Sequence, residues 1–176
     1  MYQNILKFAS DGDVLKRYLQ VFKNTMLFFY LLYDAGVWLG KAQIVPEFPT
    51  AKLQLRAVRF WFASLLFSIA IDLYSLFLTF NRLQEVQAKE RHLRRQEKSQ
   101  ACEDALTALR RERNLLFKNR TVTVCNFFKD IADLPLGFSG AFEAKLPPLF
   151  LALCGTSSSL LGSYLVWPQQ DEKPSL

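Results

Sequence analysis

A single histidine and three cysteines, none of them in a CxxC pair, leave the sequence without ligands spaced for a metal ion, and there is no HExxH. No Ser, Cys or Lys sits in a recognisable nucleophile-and-base arrangement, so no enzyme chemistry and no cofactor are expected. Gly36-Val37-Trp38-Leu39-Gly40-Lys41 looks like a phosphate loop, but it is one residue short and continues with Ala42 instead of Ser or Thr. Polar and apolar residues nowhere alternate for the length of a strand, which leaves a helical chain. A secretory leader is also missing. Cys102, Cys125 and Cys154 therefore read as reduced thiols, and Asn119-Arg120-Thr121 as a chance match to a glycosylation site.

Acidic residues are the minority, 16 against 22 Lys and Arg, and the imbalance is local. Between Asn81 and Arg120 eleven basic residues meet six acidic ones, so this block carries most of the formal charge of +6. His92 lies inside it and reads as a solvated residue. The block sits between two hydrophobic stretches, which favours a membrane flank over a nucleic-acid surface, and the positive-inside rule places it in the cytosol. No nucleic-acid partner is expected. The rest is apolar: 51% of residues are hydrophobic and Phe occurs 16 times.

The pattern predicts an all-α membrane protein of about four helices in one domain over 1–176. An aromatic-rich amphipathic helix covers 14–45, where Lys23, Asp34 and Lys41 break the apolar run, and Pro46 and Pro49 end it. Thr50 is the expected N-cap of the next helix, whose membrane-crossing part is 58–80. A basic helical loop follows over 81–120, with periodicity resuming at Cys102, Leu106, Leu109, Arg113 and Leu116. The third helix is expected to end within 121–134, where Pro135, Gly137 and Gly140 open a loop. Pro147 and Pro148 suit the first turn of a second crossing helix over 146–167, which has no charge, and 168–176 is a polar tail. At about 1.5 Å per residue each apolar run covers roughly 30 Å, the hydrocarbon thickness of a bilayer.

Asp72 is the one charge between Phe60 and Phe80. Ser64, Ser68, Asp72, Ser75 and Thr79 recur at three- and four-residue spacing and form one polar stripe on a helix. A carboxylate at bilayer depth costs about 2.5 kcal/mol or more, so this stripe should face other helices and the remaining arc should face lipid. Gly155, Ser158, Ser159 and Gly162 give the last helix a small-residue face suited to close approach. The expectation is a hairpin of the two crossing helices, stripe against stripe. A hydrogen bond across that seam, or a solute path along it, would explain Asp72.

Three ordered stretches resemble the peroxin-11 family of peroxisomal membrane proteins. "LFFYLLYDAGVWLGK" is similar to an aromatic stretch closed by Asp34, Trp38 and Lys41. "NFFKDIADLPLGF" resembles a helix end marked by Asn126, Asp133, Leu134 and Pro135. "PPLFLALCGTSSSLLGSY" is similar to the family's terminal segment through Gly155, Thr156, Ser158 and Ser159, with Ser157 where Ile is usual. An amphipathic wedge precedes these stretches in the family, and Ile5, Leu6, Lys7 and Phe8 read as its remnant. The carboxy-terminal Pro174-Ser175-Leu176 lacks the lysine of a peroxisomal matrix address.

The resemblance implies a peroxisomal membrane protein that self-associates, remodels and elongates the membrane, and promotes proliferation and fission. It also implies recruitment of a dynamin-related fission GTPase and its membrane adaptor. Basic clusters at Arg56 and Arg59, and at Arg110, Arg111, Arg113, Lys118 and Arg120, resemble signals read by the peroxisomal membrane-protein import receptor; anchoring to lipid headgroups is the other reading. Two alternatives stand beside the scaffold: a small-solute channel on the Ser64–Ser68–Asp72 stripe, and a helical adaptor for the fission machinery. With two crossings, both termini in the cytosol, as the resemblance implies, would put the basic loop in the lumen, against the positive-inside reading.

Overall fold

The computed structural model describes residues 2–44, 49–94 and 100–167, with side chains described over 14–44, 49–94 and 103–167. The polar tail 168–176, Pro46 and the side chains of Cys102 and of the Ile5-to-Phe8 wedge lie outside what is described. Four helices make up the described chain: α1 Tyr2–Lys41, α2 Thr50–Leu93, α3 Gln100–Phe142 and α4 Pro148–Val166. They pack in chain order, α1 on α2, α2 on α3 and α3 on α4.

The antiparallel register of α1 on α2 is fixed by a ladder of rings and one polar contact. Phe22 stacks on Phe67 at 5.7 Å, Phe29 on Phe60 at 5.2 Å and Tyr33 on Phe60 at 5.5 Å. Each such pair adds about 0.5–1.5 kcal/mol beyond its area burial. α1 ends in a Schellman motif: Gln43 N–H reaches Gly40 C=O, Ile44 N–H reaches Leu39 C=O, and Gln43 has φ 56°. Thr50 is the first helical residue of α2 and does not cap it; Pro49 holds the cap position without a side-chain hydrogen bond.

α3 corrects the sequence reading. It continues through Asp133 and Pro135 to Phe142, and no loop opens at Gly137 or Gly140. A proline inside a helix costs about 3 kcal/mol and each interior glycine about 1 kcal/mol relative to alanine, so something must offset them. Packing on α2 does. A Cβ on Gly137 would lie 3.0 Å from Phe62, and one on Gly140 only 2.7 Å from Val58. The glycines therefore serve close helix approach, not a turn. Phe62 fills the adjoining space edge-on against Phe138 and Phe142. The true end is again a Schellman motif, with Glu143 at φ 56°, Ala144 N–H on Ser139 C=O, and Ser139 Oγ donating to Ala144 C=O.

A second correction concerns the pairing of the two most apolar helices. α2 and α4 do not pack on each other; α3 lies between them. The short link from α3 makes α4 an antiparallel neighbour of α3. Gly155 faces Leu136 and Gly162 faces the aliphatic stem of Lys129, so the small-residue face is spent on α3 within the chain. Pro148 opens α4 at its first helical position, where its missing N–H leaves no bond unmade.

Candidate functional site

The polar stripe of α2 meets charge from both flanking helices, not the Gly/Ser face of α4. Ser64 and Ser68 are buried, Asp72 is half-buried, and Ser75 and Thr79 follow at the same angular position. Ser64 Oγ donates to Trp61 C=O and Thr79 Oγ1 to Ser75 C=O, which satisfies both hydroxyls inside the helix. Lys23 Nζ on α1 donates to Ser68 Oγ at 2.9 Å. Asp72 lies in electrostatic range of Lys23 and Lys16 of α1 and of Lys129 and Asp130 of α3, and its Oδ2 is buried without a hydrogen-bond partner. Asp130 is 4% exposed and pairs with Lys129 at 2.7 Å. Lys16, Lys23, Asp72, Lys129 and Asp130 thus gather three formal positive and two formal negative charges along the seam. Next to them a cleft of about 320 Å³ is lined by Lys16, Ser75, Thr79, Asn119 and Thr123 among others.

Sequence reasoning found the α2 side of this seam and missed the α1 and α3 sides. Lys23 read as a break in an apolar run, and Lys129 and Asp130 were not singled out. The signal was available: a lysine amid "VFKNTMLFFYLLY" needs a partner for the same reason Asp72 does.

Beyond the seam, the far parts of α2 and α3 form a two-helix basic hairpin. Leu83 and Val86 are buried, and Glu90 continues their three- and four-residue spacing at only 4% exposure. Leu106, Leu109 and Arg113 mirror that spacing on α3, and Arg113 meets Glu90 at 2.8 Å. Arg94 reaches Glu90 at 2.6 Å and Arg110 at 4.0 Å. The hydrogen bond from Arg94 is the main cause holding the Glu90 carboxyl below the ordinary carboxylate range; burial opposes it, and the charges of Arg113 and Arg110 add to it. Arg82 pairs with Glu85 and Glu112 on the surface of the same hairpin.

The other singled-out residues are dispersed. Arg59 Nε donates to Ala141 C=O, capping the last turn of α3. Arg56, Arg111, Lys118 and Arg120 are exposed, as are Asp34 and Trp38 on α1. Asn126, Asp133 and Pro135 lie within α3. Ser158 is buried, Ser159 is exposed, and Thr156 Oγ1 donates to Ala152 C=O. No cluster of His, Cys, Asp and Glu able to hold a metal ion occurs among the described residues.

α2 and α4 are long and apolar enough to cross a membrane. The family model described as "Peroxisomal biogenesis factor 11 (PEX11)" matches residues 2–167. The chain belongs to the PEX11 family. Comparison with curated proteins and with solved structures gave no match. Membership of PEX11 makes this a helical, membrane-associated member of a peroxisome biogenesis family, with a general role in peroxisome proliferation and membrane elongation.

Proposed function

We propose that the chain is an oligomeric scaffold of the peroxisomal membrane that elongates it ahead of fission. The observation that carries this is the PEX11 match across nearly the whole chain. Two membrane-length helices whose outer faces carry Leu66, Leu73, Leu153 and Leu160 exposed support placement in a bilayer. The small residues of α4 lie against α3, so self-association has to use other surfaces; the uncovered outer face of α4, with Leu149, Leu153, Leu160 and Tyr164, is available. Recruitment of a dynamin-related GTPase with its adaptor, and delivery by the import receptor, belong to the same reading; the exposed Arg and Lys of the hairpin are the surface it would use.

The experiment is to image the tagged chain beside a fluorescent peroxisomal matrix marker. Rings around the marker with elongated or more numerous peroxisomes are expected. Rings around unchanged peroxisomes would refute the remodelling role while keeping the location. Asp72 and the adjoining polar cleft favour one second reading, a path for small solutes, which predicts a conductance in reconstituted bilayers that Asp72→Asn alters.

A further inference from the structure

α1 and α3 carry too many polar residues to pass for membrane spans by composition, yet they lie alongside the apolar stretch of α2. Phe22 and Lys23 sit level with Phe67 and Ser68, and Phe29 level with Phe60. On the other side Gly137 is level with Phe62 and Gly140 with Val58. α4 is level with the same part of α3, through Gly155 at Leu136 and Gly162 at Lys129. If α2 crosses hydrocarbon between Phe60 and Phe80, α1 from about Val14 to Leu32 and α3 from about Asn119 to Gly140 occupy the same roughly 30 Å slab.

Their surfaces fit that placement. Over this length α1 turns Val14, Val21, Phe22, Phe28, Leu31 and Leu32 outward, and α3 turns out Val122, Phe128, Ile131 and Phe138. The charges at the middle of the slab, Lys23, Lys129 and Asp130, instead face Ser68 and Asp72 inside the bundle. Lys16, Arg17, Asn119, Arg120 and Thr121 are exposed only toward the basic-hairpin end of the slab, where headgroups can meet them; Gln20, Asn24 and Thr25 are the exposed polar side chains of α1 at greater depth, and none of them is ionisable.

We propose that all four helices cross the bilayer, with acyl chains covering the outer faces of α1 and α3. The inference rests on the membrane reading of α2 and α4 and adds a topology to it. Four antiparallel crossings put the amino-terminal end of α1, the basic α2–α3 hairpin and the carboxy-terminal end of α4 on one side. The turns after Lys41 and Phe142 lie on the other. The basic hairpin then satisfies the positive-inside rule together with both chain ends.

The test uses the full chain with its three cysteines changed to Ser and single cysteines at Val21, Phe128, Leu66 or Leu160. Each is labelled with bimane in liposomes containing mid-chain brominated lipid. All four sites should be quenched to a similar degree and stay closed to a charged maleimide. Quenching at Leu66 and Leu160 with aqueous labelling at Val21 and Phe128 would overturn the proposal and leave α2 and α4 as the membrane helices. No quenching at any site would overturn the membrane reading as well. In sealed peroxisomes, external protease should remove an amino-terminal tag, a carboxy-terminal tag and a cleavage site placed at Lys89 together. Cleavage at Lys89 with both tags protected, or the reverse, is the two-crossing result and would refute the four-crossing topology.

Discussion

Gly140 shows how little the identity of a residue says about its use. It read as a loop former, and it is the point where α3 comes closest to α2. Alanine there would gain about 1 kcal/mol of helix propensity but force a methyl to 2.7 Å from Val58 Cγ1. Valine is stiff at χ1 and overpacking typically costs about 1–3 kcal/mol, so the clash should win. Gly140→Ala is expected to lower the melting temperature in detergent, and the same change in a Val58→Ala background to raise it; a loss of equal size in both would exclude this contact as the cause. Glu143 is the converse case. It occupies the left-handed position after α3 that glycine fills without strain, so Glu143→Gly should stabilise the protein by about 1 kcal/mol, read by denaturant titration. Neither role was legible in the sequence, because Schellman ends without glycine look like continued helix and interior glycines look like ends.

At the scale of the element, the apolar runs and prolines gave the existence and order of the helices; their lengths and partners were less legible. Hydrophobic periodicity shows that a helix has a face, but it does not show which neighbour covers that face, and so α2 was paired with α4 instead of α1 and α3. The basic block was legible as charge and opaque as structure, since Glu90 counts as one more solvated acid until Arg113 is seen opposite. The Arg94 hydrogen bond first, and the charge of Arg113 after it, give the hairpin a pH dependence of known sign. Glu90 titrates lower in the folded hairpin than when unfolded, so its contribution is complete above the ordinary carboxylate range and is lost as pH falls through the lowered folded value. Hydrogen exchange over 106–116 should therefore be steady from neutral pH into mild acid, after allowing for the intrinsic rate, and rise below that. Glu90→Gln should speed exchange at neutral pH and flatten the dependence. Arg113→Gln should speed exchange over 106–116 as well, and no change would mean that register is set by Leu83 and Val86 alone.

For the molecule as a whole, what separates a scaffold from a solute path is the use made of the seam between α1, α2 and α3. Asp72 and Asp130 offset two of the three lysines at the seam, Lys16, Lys23 and Lys129, and a scaffold needs only that compensation. Asp72→Asn leaves one more positive charge uncompensated near the middle of the bundle, where an ionised group costs about 2.5 kcal/mol or more. Lys23→Met added to Asp72→Asn removes that added excess, so the double variant should be more stable than the single one in detergent. A scaffold then predicts that the double variant elongates peroxisomes as the parent does and that neither conducts. A path predicts the opposite separation. Its carboxylate is the working group, so the double variant would regain stability, with conductance lost or changed in selectivity. Measuring stability, peroxisome shape and single-channel current on the same three proteins decides the matter, because recovery of shape without any current at any stage can only come from the seam acting as a structural joint.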